Sequence, residues 1–163
     1  MILRPATPQD EPLLFELFAA EKAAEFTAIG LTEAQYRPLL EMQYRGRAIT
    51  YSAQHPEAES WIICLQQAAE ATAVGQYLLV KTPQGSRIVD LAVLPQYRGQ
   101  GIATQVLRQL AQQSAATGEA LSLRVMKGNQ AQRLYTRLGF DVVYEDEISF
   151  EMLWRLKATN EGR

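Results

Sequence analysis

Two glycines separated by one residue stand between a run of strand-forming residues and a run with helical spacing. The stretch reads YRGQGIA over residues 97–103. A glycine-rich turn that opens a helix can bind an anion, because its unpaired backbone N–H groups and the positive end of the helix dipole point towards the ligand. The stretch therefore predicts an anion site, with the alternative that the glycines serve only to allow a tight turn from strand to helix.

Two nucleotide-binding motifs are compared with this turn. A mononucleotide P-loop needs a lysine and a serine or threonine after its last glycine, whereas Ile102 and Ala103 follow here. A dinucleotide fingerprint needs a third glycine, where this chain has Thr104, and an acidic residue about 20 residues further on, where residues 122–124 offer none. The first motif is excluded and the second is a poor match.

Hydrophobic periodicity predicts the element order βααβββαβαββ, with the turn between a strand and a helix. The predicted sheet is mixed and carries helices on its faces. Residues 48–56 have no clear period and are predicted to form a loop, and the polar residues 158–163 are expected to fray. The predicted strands cover residues 2–4, 61–66, 73–81, 87–94, 121–126, 141–144 and 149–156. The four predicted helices run from residues 7–10 to about 26, from 32 towards 46, from Ile102 to a cap at Gly118, and from 129 to 138 before Gly139.

Composition limits the class of protein. The chain has 163 residues, which suits one domain over residues 1–163 with a continuous core. A net charge of -2 and the absence of a Lys/Arg run disfavour a nucleic-acid binder. The single cysteine, Cys64, lies in an apolar run and has no intramolecular disulfide partner, and one cysteine with one histidine, His55, excludes an ordinary zinc cluster. No long apolar stretch is present, so we expect no signal peptide, no membrane span and a reducing cytoplasm.

Two segments carry a family resemblance. Residues 91–103, LAVLPQYRGQGIA, resemble the acetyl-CoA-binding signature of the GNAT N-acetyltransferase superfamily, in which Arg/Gln-x-x-Gly-x-Gly/Ala follows a strand that ends in an apolar-x-Pro turn. Residues 129–140, NQAQRLYTRLGF, are similar to the family's Asn-x-Ala-x-x-Leu-Tyr-x-x-x-Gly-Phe segment. The resemblance is clearest from residue 60 to residue 154. It implies a GNAT-like α/β (α+β) fold, with a mixed, mostly antiparallel twisted sheet of six to seven strands flanked by about four helices.

The resemblance implies acetyl-CoA as cosubstrate and no metal. The pyrophosphate would lie on the N–H groups of residues 99–104, where small side chains let the backbone approach. The pantetheine amides would pair with the backbone of Leu91 and Val93, one of whose N–H groups would polarise the thioester carbonyl. The implied cofactor-binding residues are Leu91, Ala92, Val93, Arg98, Gly99, Gln100, Gly101, Ile102, Ala103, Thr104, Asn129, Gln132 and Tyr135.

Two residues are expected to act in catalysis. Tyr135 is similar to the family's tyrosine that donates a proton to the leaving thiolate. A phenol with a pKa near 10 is a weaker acid than a thiol near 8.5, so we expect it to stabilise the thiolate first and protonate it second. A lysine-like amine pays about 4.6 kcal/mol to become neutral at pH 7 unless a base helps. Asp90 is the best base candidate. The alternative interpretation is that Asp90 is only a solvated or hydrogen-bonded acid at a strand edge.

Other polar residues have two interpretations each. Asn129 would bind pantetheine or simply cap a helix. Arg124 would form an ion pair on the sheet or receive an acceptor carboxylate, and the acidic run 145–147 would attract a cationic acceptor or be solvated. Tyr135 would be a core aromatic if it has no catalytic role.

The sequence favours an acetyl-CoA-dependent N-acetyltransferase that transfers the acetyl group to a primary amine by direct attack in a ternary complex. A covalent route is not suggested, because Cys64 lies in a predicted core strand. The alternative is a non-catalytic CoA-binding or partner-binding module on the same fold. The acceptor is expected to be a small-molecule or peptide amine, and the sequence does not identify it further. The sequence also leaves open whether a longer acyl group is preferred and whether the protein forms a homodimer or another oligomer.

Overall fold

The structure, a computed structural model, describes residues 1–156; the predicted frayed segment 158–163 lies outside the described residues. The chain forms two compact units. The first contains Met1–Leu78 and Asp90–Gln100, and the second contains Leu79–Val89 and the described part of Gly101–Arg163.

The predicted element order is confirmed. The strands are β1 (Ile2–Pro5), β2 (Glu59–Gln67), β3 (Glu70–Thr82), β4 (Gly85–Val93), β5 (Ala120–Met126), β6 (Asp141–Glu145) and β7 (Ser149–Trp154), and the helices are α1 (Glu11–Ala28), α2 (Glu33–Gln54), α3 (Ile102–Thr117) and α4 (Ala131–Arg137). Short 3₁₀ turns, Pro8–Asp10 and Pro95–Tyr97, precede α1 and follow β4. Among residues 1–156, no helix is long and apolar enough to cross a membrane.

The seven strands follow the order β1-β2-β3-β4-β5-β7-β6. The pairs β1/β2, β5/β7 and β6/β7 are antiparallel, and β4/β5 is parallel. The β4/β5 register joins Gly85–Ile88 to Ala120–Leu123, so it ends five residues before β4 itself ends. This arrangement confirms the predicted mixed, mostly antiparallel sheet, with four α-helices among residues 1–156.

The first unit buries a cluster between α1 and α2. Phe18, Ala19 and Leu40 are buried there, with partly buried aromatic side chains around them. Cys64 is buried in β2, as predicted.

The prediction of a loop over residues 48–56 is wrong for most of that segment, because residues 48–54 continue helix α2. Gly46 does not end α2: it is exposed in the helix, and an interior glycine costs only about 1 kcal/mol relative to alanine. The helix ends at His55, whose N–H donates to Tyr51 O at 2.8 Å.

In the second unit, α3 presents the predicted apolar stripe, with Val106, Leu107 and Leu110 buried. The helix ends at Gly118, whose φ of 71° is the left-handed conformation that glycine adopts without strain. Helix α4 begins at Ala131, two residues later than predicted, because residues 127–130 first form a turn.

Candidate active site

The signature loop, residues 98–104, joins the end of β4 to α3. Gly99 has a φ of 72° and Gly101 a φ of 78°, and Gly101 is the N-cap of α3. A Cβ atom at either position would have no other described atom within 4 Å. The glycines are therefore needed within the chain for their left-handed backbone, and not because neighbouring groups crowd them.

The start of α3 leaves donors available to a ligand. The first intrahelical hydrogen bond runs from Gln105 N–H to Gly101 O at 3.0 Å. Helix geometry leaves the preceding N–H groups, those of Ile102, Ala103 and Thr104, without an intrahelical acceptor. The Ile102 side chain is buried, which orients this first turn. The loop can therefore offer several N–H groups and the positive helix end to an anion.

The end of β4 is held by hydrogen bonds and close backbone packing within the first unit. Leu94 N–H donates to Val74 O at 2.9 Å, and Arg98 Nε donates to Val93 O at 2.9 Å. A Cβ atom on Gly75 would lie 2.5 Å from Ala92 O, so only glycine permits this approach of β3 to β4. These contacts fix the backbone of the residues predicted to position the thioester.

Asp90 lies on the same strand and lines a cavity of about 240 Å³. Asp90 and Ala92 are two residues apart in β4, so both side chains point to one face, towards α1 and α2 of the same unit. The cavity wall contains three carboxylates, one guanidinium and three aromatic rings: Glu11, Glu21, Asp90, Arg47, Phe18, Tyr44 and Tyr51.

The Asp90 carboxylate is perturbed by its surroundings. Burial raises its pKa above the ordinary value, while Arg47 and the Leu91 N–H oppose that change. Arg47 Nη2 lies 3.9 Å from Asp90 Oδ2, and Arg47 Nη1 lies 3.5 Å from Glu21 Oε2. The Asp90 side chain keeps 34% of its surface exposed, so a solute can reach it. Geometry and pKa direction both suit a general base.

Two tyrosines of α2 face the same cavity. Tyr44 donates its hydroxyl proton to Glu11 Oε2 at 2.5 Å, and burial with this bond raises the pKa of Tyr44. The Tyr51 hydroxyl oxygen is buried and has no hydrogen-bond partner among the described residues. Burial, together with the charge of Asp90, raises the pKa of Tyr51. Both phenols therefore stay protonated near neutral pH.

The downstream motif surrounds α4 in the second unit. Asn129 Oδ1 accepts a hydrogen bond from Ala131 N–H at 2.9 Å, so its side chain joins the turn before α4 to the first residue of that helix. Tyr135 is half-buried and packs on Phe140 with 6.0 Å between ring centroids. Gln132 O accepts from the Thr136 hydroxyl at 3.0 Å. Tyr135 thus keeps an exposed part, unlike a fully buried core aromatic.

The residues predicted for the site fall in both units. Asp90, Leu91, Ala92, Val93, Arg98, Gly99 and Gln100 belong to the first unit, and Gly101, Ile102, Ala103, Thr104, Asn129, Gln132 and Tyr135 belong to the second.

The charged residues near β5 form hydrogen bonds and ion pairs with neighbouring residues of the second unit. Arg124 Nε donates to Ser149 Oγ at 2.6 Å, and the Arg124 guanidinium pairs with Asp146. Hydrogen bonds from the Ile148 and Ser149 N–H groups lower the pKa of Asp146 to about 2. Lys127 Nζ lies 2.5 Å from Glu145 Oε1. Arg124 therefore forms the ion pair that was one of its two interpretations.

Sequence reasoning assigned Asp90 and Ala92 to the site but not the other residues that line the cavity, among them Glu21, Arg47 and Tyr51. Tyr44, Arg47, Ala48 and Tyr51 recur at helical spacings of three and four, and this pattern continues past Gly46. That periodicity was the available signal for the α2 residues.

The acetyltransferase (GNAT) family model matches residues 18–140, which is most of the chain. This protein therefore belongs to the GNAT acetyltransferase family. No curated protein sequence matches it significantly.

Solved structures share the fold. One is the PaiA N-acetyltransferase from Thermoplasma acidophilum in complex with coenzyme A, with a TM-score of 0.66 and 17% identity over 95% of this chain and 98% of that chain. A domain from Methanocaldococcus jannaschii has a TM-score of 0.69 and 18% identity over 95% and 97%. The ribosomal-protein-S18-alanine N-acetyltransferase from Escherichia coli has a TM-score of 0.62 and 17% identity over 99% and 97%.

Proposed function

We propose that this GNAT family member transfers the acetyl group of acetyl-CoA to a primary amine by direct attack in a ternary complex. The observation that carries the proposal is the arrangement of β4. The strand presents the Asp90 carboxylate to a cavity and then leads, through Val93 and the Pro95–Tyr97 turn, into a loop with left-handed glycines at the start of α3. One strand thus connects a base candidate to an anion site.

The residues of the signature loop fit a pyrophosphate. The N–H groups of residues 99–104 would bind it, and the exposed positions of Gly99, Gln100 and Gly101 leave room for the approach. Leu91 and Val93 direct their backbone groups to one edge of β4, beyond the last residue of the β4/β5 register. The pantetheine amides would pair there, and a Val93 N–H aimed at the thioester oxygen would stabilise the tetrahedral oxyanion.

The acceptor amine must lose a proton before it attacks. For a lysine-like amine this costs about 4.6 kcal/mol at pH 7. Asp90, with its pKa raised by burial, accepts the ammonium proton directly or through water. The amine nitrogen then forms a bond to the carbonyl carbon, and the carbon–sulfur bond breaks as the electron pair leaves on sulfur. The attacking nitrogen gives up its second proton, which passes to the leaving sulfur directly or through the Tyr135 hydroxyl, so that an amide and the CoA thiol are formed.

The leaving thiolate needs a hydrogen-bond donor. Tyr135 serves as this donor and, in the second place, as the proton source. Asn129 and Gln132 belong to the same motif and would bind the pantetheine arm. The proposed acetyl-CoA-binding domain extends over residues 1–163.

The test is release of the CoA thiol from acetyl-CoA in the presence of a broad panel of primary amines. We expect release with at least one amine and mass-spectrometric detection of the acetylated product. Tyr135→Phe is expected to lower kcat while changing the dissociation constant of acetyl-CoA less than about twofold, because only the leaving-group contact is removed.

The alternative is a non-catalytic CoA-binding module, and it predicts a different result. Such a protein would bind acetyl-CoA and release no thiol with any amine. Protein that binds acetyl-CoA yet fails with the whole panel would contradict the proposed transfer and support the binding module.

A further inference from the structure

Arg47 lies between two carboxylates of the cavity and is held loosely by both. Its nitrogens are 3.5 Å from Glu21 and 3.9 Å from Asp90, longer than the roughly 2.7–2.9 Å of a charge-assisted hydrogen bond. Arg37, on the same helix, lies only 2.6 Å from Glu16. The Arg47 side chain is also 43% exposed. A competing cation could therefore replace it at small cost.

The charges of the cavity favour such a cation. Three carboxylates, those of Glu11, Glu21 and Asp90, line it together with the one guanidinium of Arg47. Glu11 already accepts a hydrogen bond from the Tyr44 hydroxyl. Glu21 and Asp90 are the carboxylates that Arg47 partly neutralises, and the wall as a whole remains negative.

Two uncharged groups on the same wall are also suited to a cation. The Arg47 guanidinium lies 5.5 Å from the centre of the Phe18 ring, so the π-face already carries a positive group. The buried Tyr51 hydroxyl oxygen has no partner among residues 1–156 and can accept an N–H donor. This oxygen has no hydrogen bond to any of the acidic residues, so the described wall lacks one polar contact.

We propose that the acceptor carries a second cationic group besides the amine that is acetylated, and that this group displaces the Arg47 guanidinium to bind at Glu21 and Phe18. The reacting amine then lies at Asp90. Arg47 acts as an internal substitute for the distal cation and so determines specificity. The inference rests on the proposed function, because it names the substrate class of the same cavity.

The experiment compares diaminobutane with butylamine, which has the same carbon chain and only one nitrogen. We expect kcat/KM to be at least about tenfold higher for the diamine. Glu21→Gln should lower the ratio of the two kcat/KM values at least about fivefold, and Arg47→Gln should raise it, because a competing cation is removed. Glu25→Gln, an exposed carboxylate of α1 outside the cavity wall, is the matched control and should leave the ratio unchanged.

A binding measurement separates this inference from the proposed function. Diaminobutane is titrated calorimetrically into protein saturated with CoA, with wild type and Glu21→Gln compared. Turnover of amines with equal kcat/KM for diamine and monoamine would overturn the inference and leave the acetyl transfer intact. Glu21-dependent binding of diaminobutane without any turnover would support the cation site and contradict the transfer; absence of both would overturn both.

Discussion

Arg98 Nε donates a hydrogen bond of 2.9 Å to Val93 O, which ties the signature loop to the last residue of β4. The bond joins the two parts of the proposed acetyl-CoA site, the strand edge for pantetheine and the loop for pyrophosphate. Arg98 is otherwise an exposed residue, so its contribution to the core is small.

Arg98→Ala is expected to weaken acetyl-CoA binding about three- to tenfold. One hydrogen bond that positions the loop contributes about 1 kcal/mol, which corresponds to roughly a fivefold change in affinity. Calorimetric titration of acetyl-CoA measures the change. Arg108→Ala, which removes an exposed arginine of α3 outside the loop, should bind as wild type does. Equal affinities for the two variants would show that the Arg98 bond does not position the loop.

Gly101→Val is expected to weaken acetyl-CoA binding at least tenfold, or about 1.4 kcal/mol. A β-branched residue cannot hold the φ of 78° without strain, and its side chain would stand where the pyrophosphate approaches. The fold should remain intact, since a Cβ there meets no other described atom within 4 Å. Circular dichroism and calorimetry check both statements.

Gly46→Ala is the matched control for Gly101→Val. A Cβ atom at Gly46 would also meet no other described atom within 4 Å, but this glycine lies inside α2. Alanine there should raise the free energy of unfolding by about 1 kcal/mol and leave acetyl-CoA affinity unchanged. Unchanged affinity in Gly101→Val as well would return the loop glycines to a purely structural role.

Asp90→Asn is expected to lower kcat about 10²- to 10⁴-fold and to remove the acidic limb of the pH–rate profile. In the wild type, kcat/KM should rise with pH through the raised pKa of Asp90, because only the carboxylate accepts a proton. The variant's profile should be flat through that region. A limb that persists in Asp90→Asn would assign the base to another group.

The free energy of unfolding should change in the opposite direction to kcat/KM as pH rises through the pKa of Asp90. A folded-state pKa above the unfolded value means that the stabilising effect of the neutral acid is fully present below the unfolded pKa and is lost as pH rises through the folded pKa. At neutral pH, Asp90→Asn should therefore unfold with a free energy equal to or above that of the wild type. A large loss of stability would indicate a structural role for Asp90 instead.

Asp10→Asn is expected to destabilise the first unit by about 1–3 kcal/mol at neutral pH. The buried Asp10 carboxylate accepts two bonds from Arg4, at 2.7 and 2.8 Å, and one from Thr7 N–H at 2.8 Å. These bonds hold its pKa well below the usual range. The stability they supply is present above the unfolded pKa and is lost as pH falls towards the folded pKa. Denaturant unfolding at several pH values should show the variant's deficit shrinking in acid, whereas a pH-independent deficit would contradict this account.

Local pattern was sufficient for most of the fold. Turn chemistry at Gly99 and Gly101, the apolar stripe of α3 and the alternation of β5 each depend on residues close in sequence, so their conformations could be predicted. The same reasoning ended α2 near residue 46, because residues 48–56 show no clear period, whereas the helix continues to Gln54 and Gly46 in its interior has only a modest cost.

The cavity depended on contacts that periodicity does not encode. Glu21, Arg47 and Asp90 lie on α1, α2 and β4, and their meeting requires two helices to pack over one strand face. A 3.6-residue or two-residue period tells which face of an element is apolar, but not which other element covers that face or at what rotation. The chain's residues thus specified the turn and the order of elements, and their resemblance to a known family implied the cosubstrate. The packing of α1 and α2 in the folded unit placed the Arg47 guanidinium beside Asp90 and so shaped the proposed acceptor cavity.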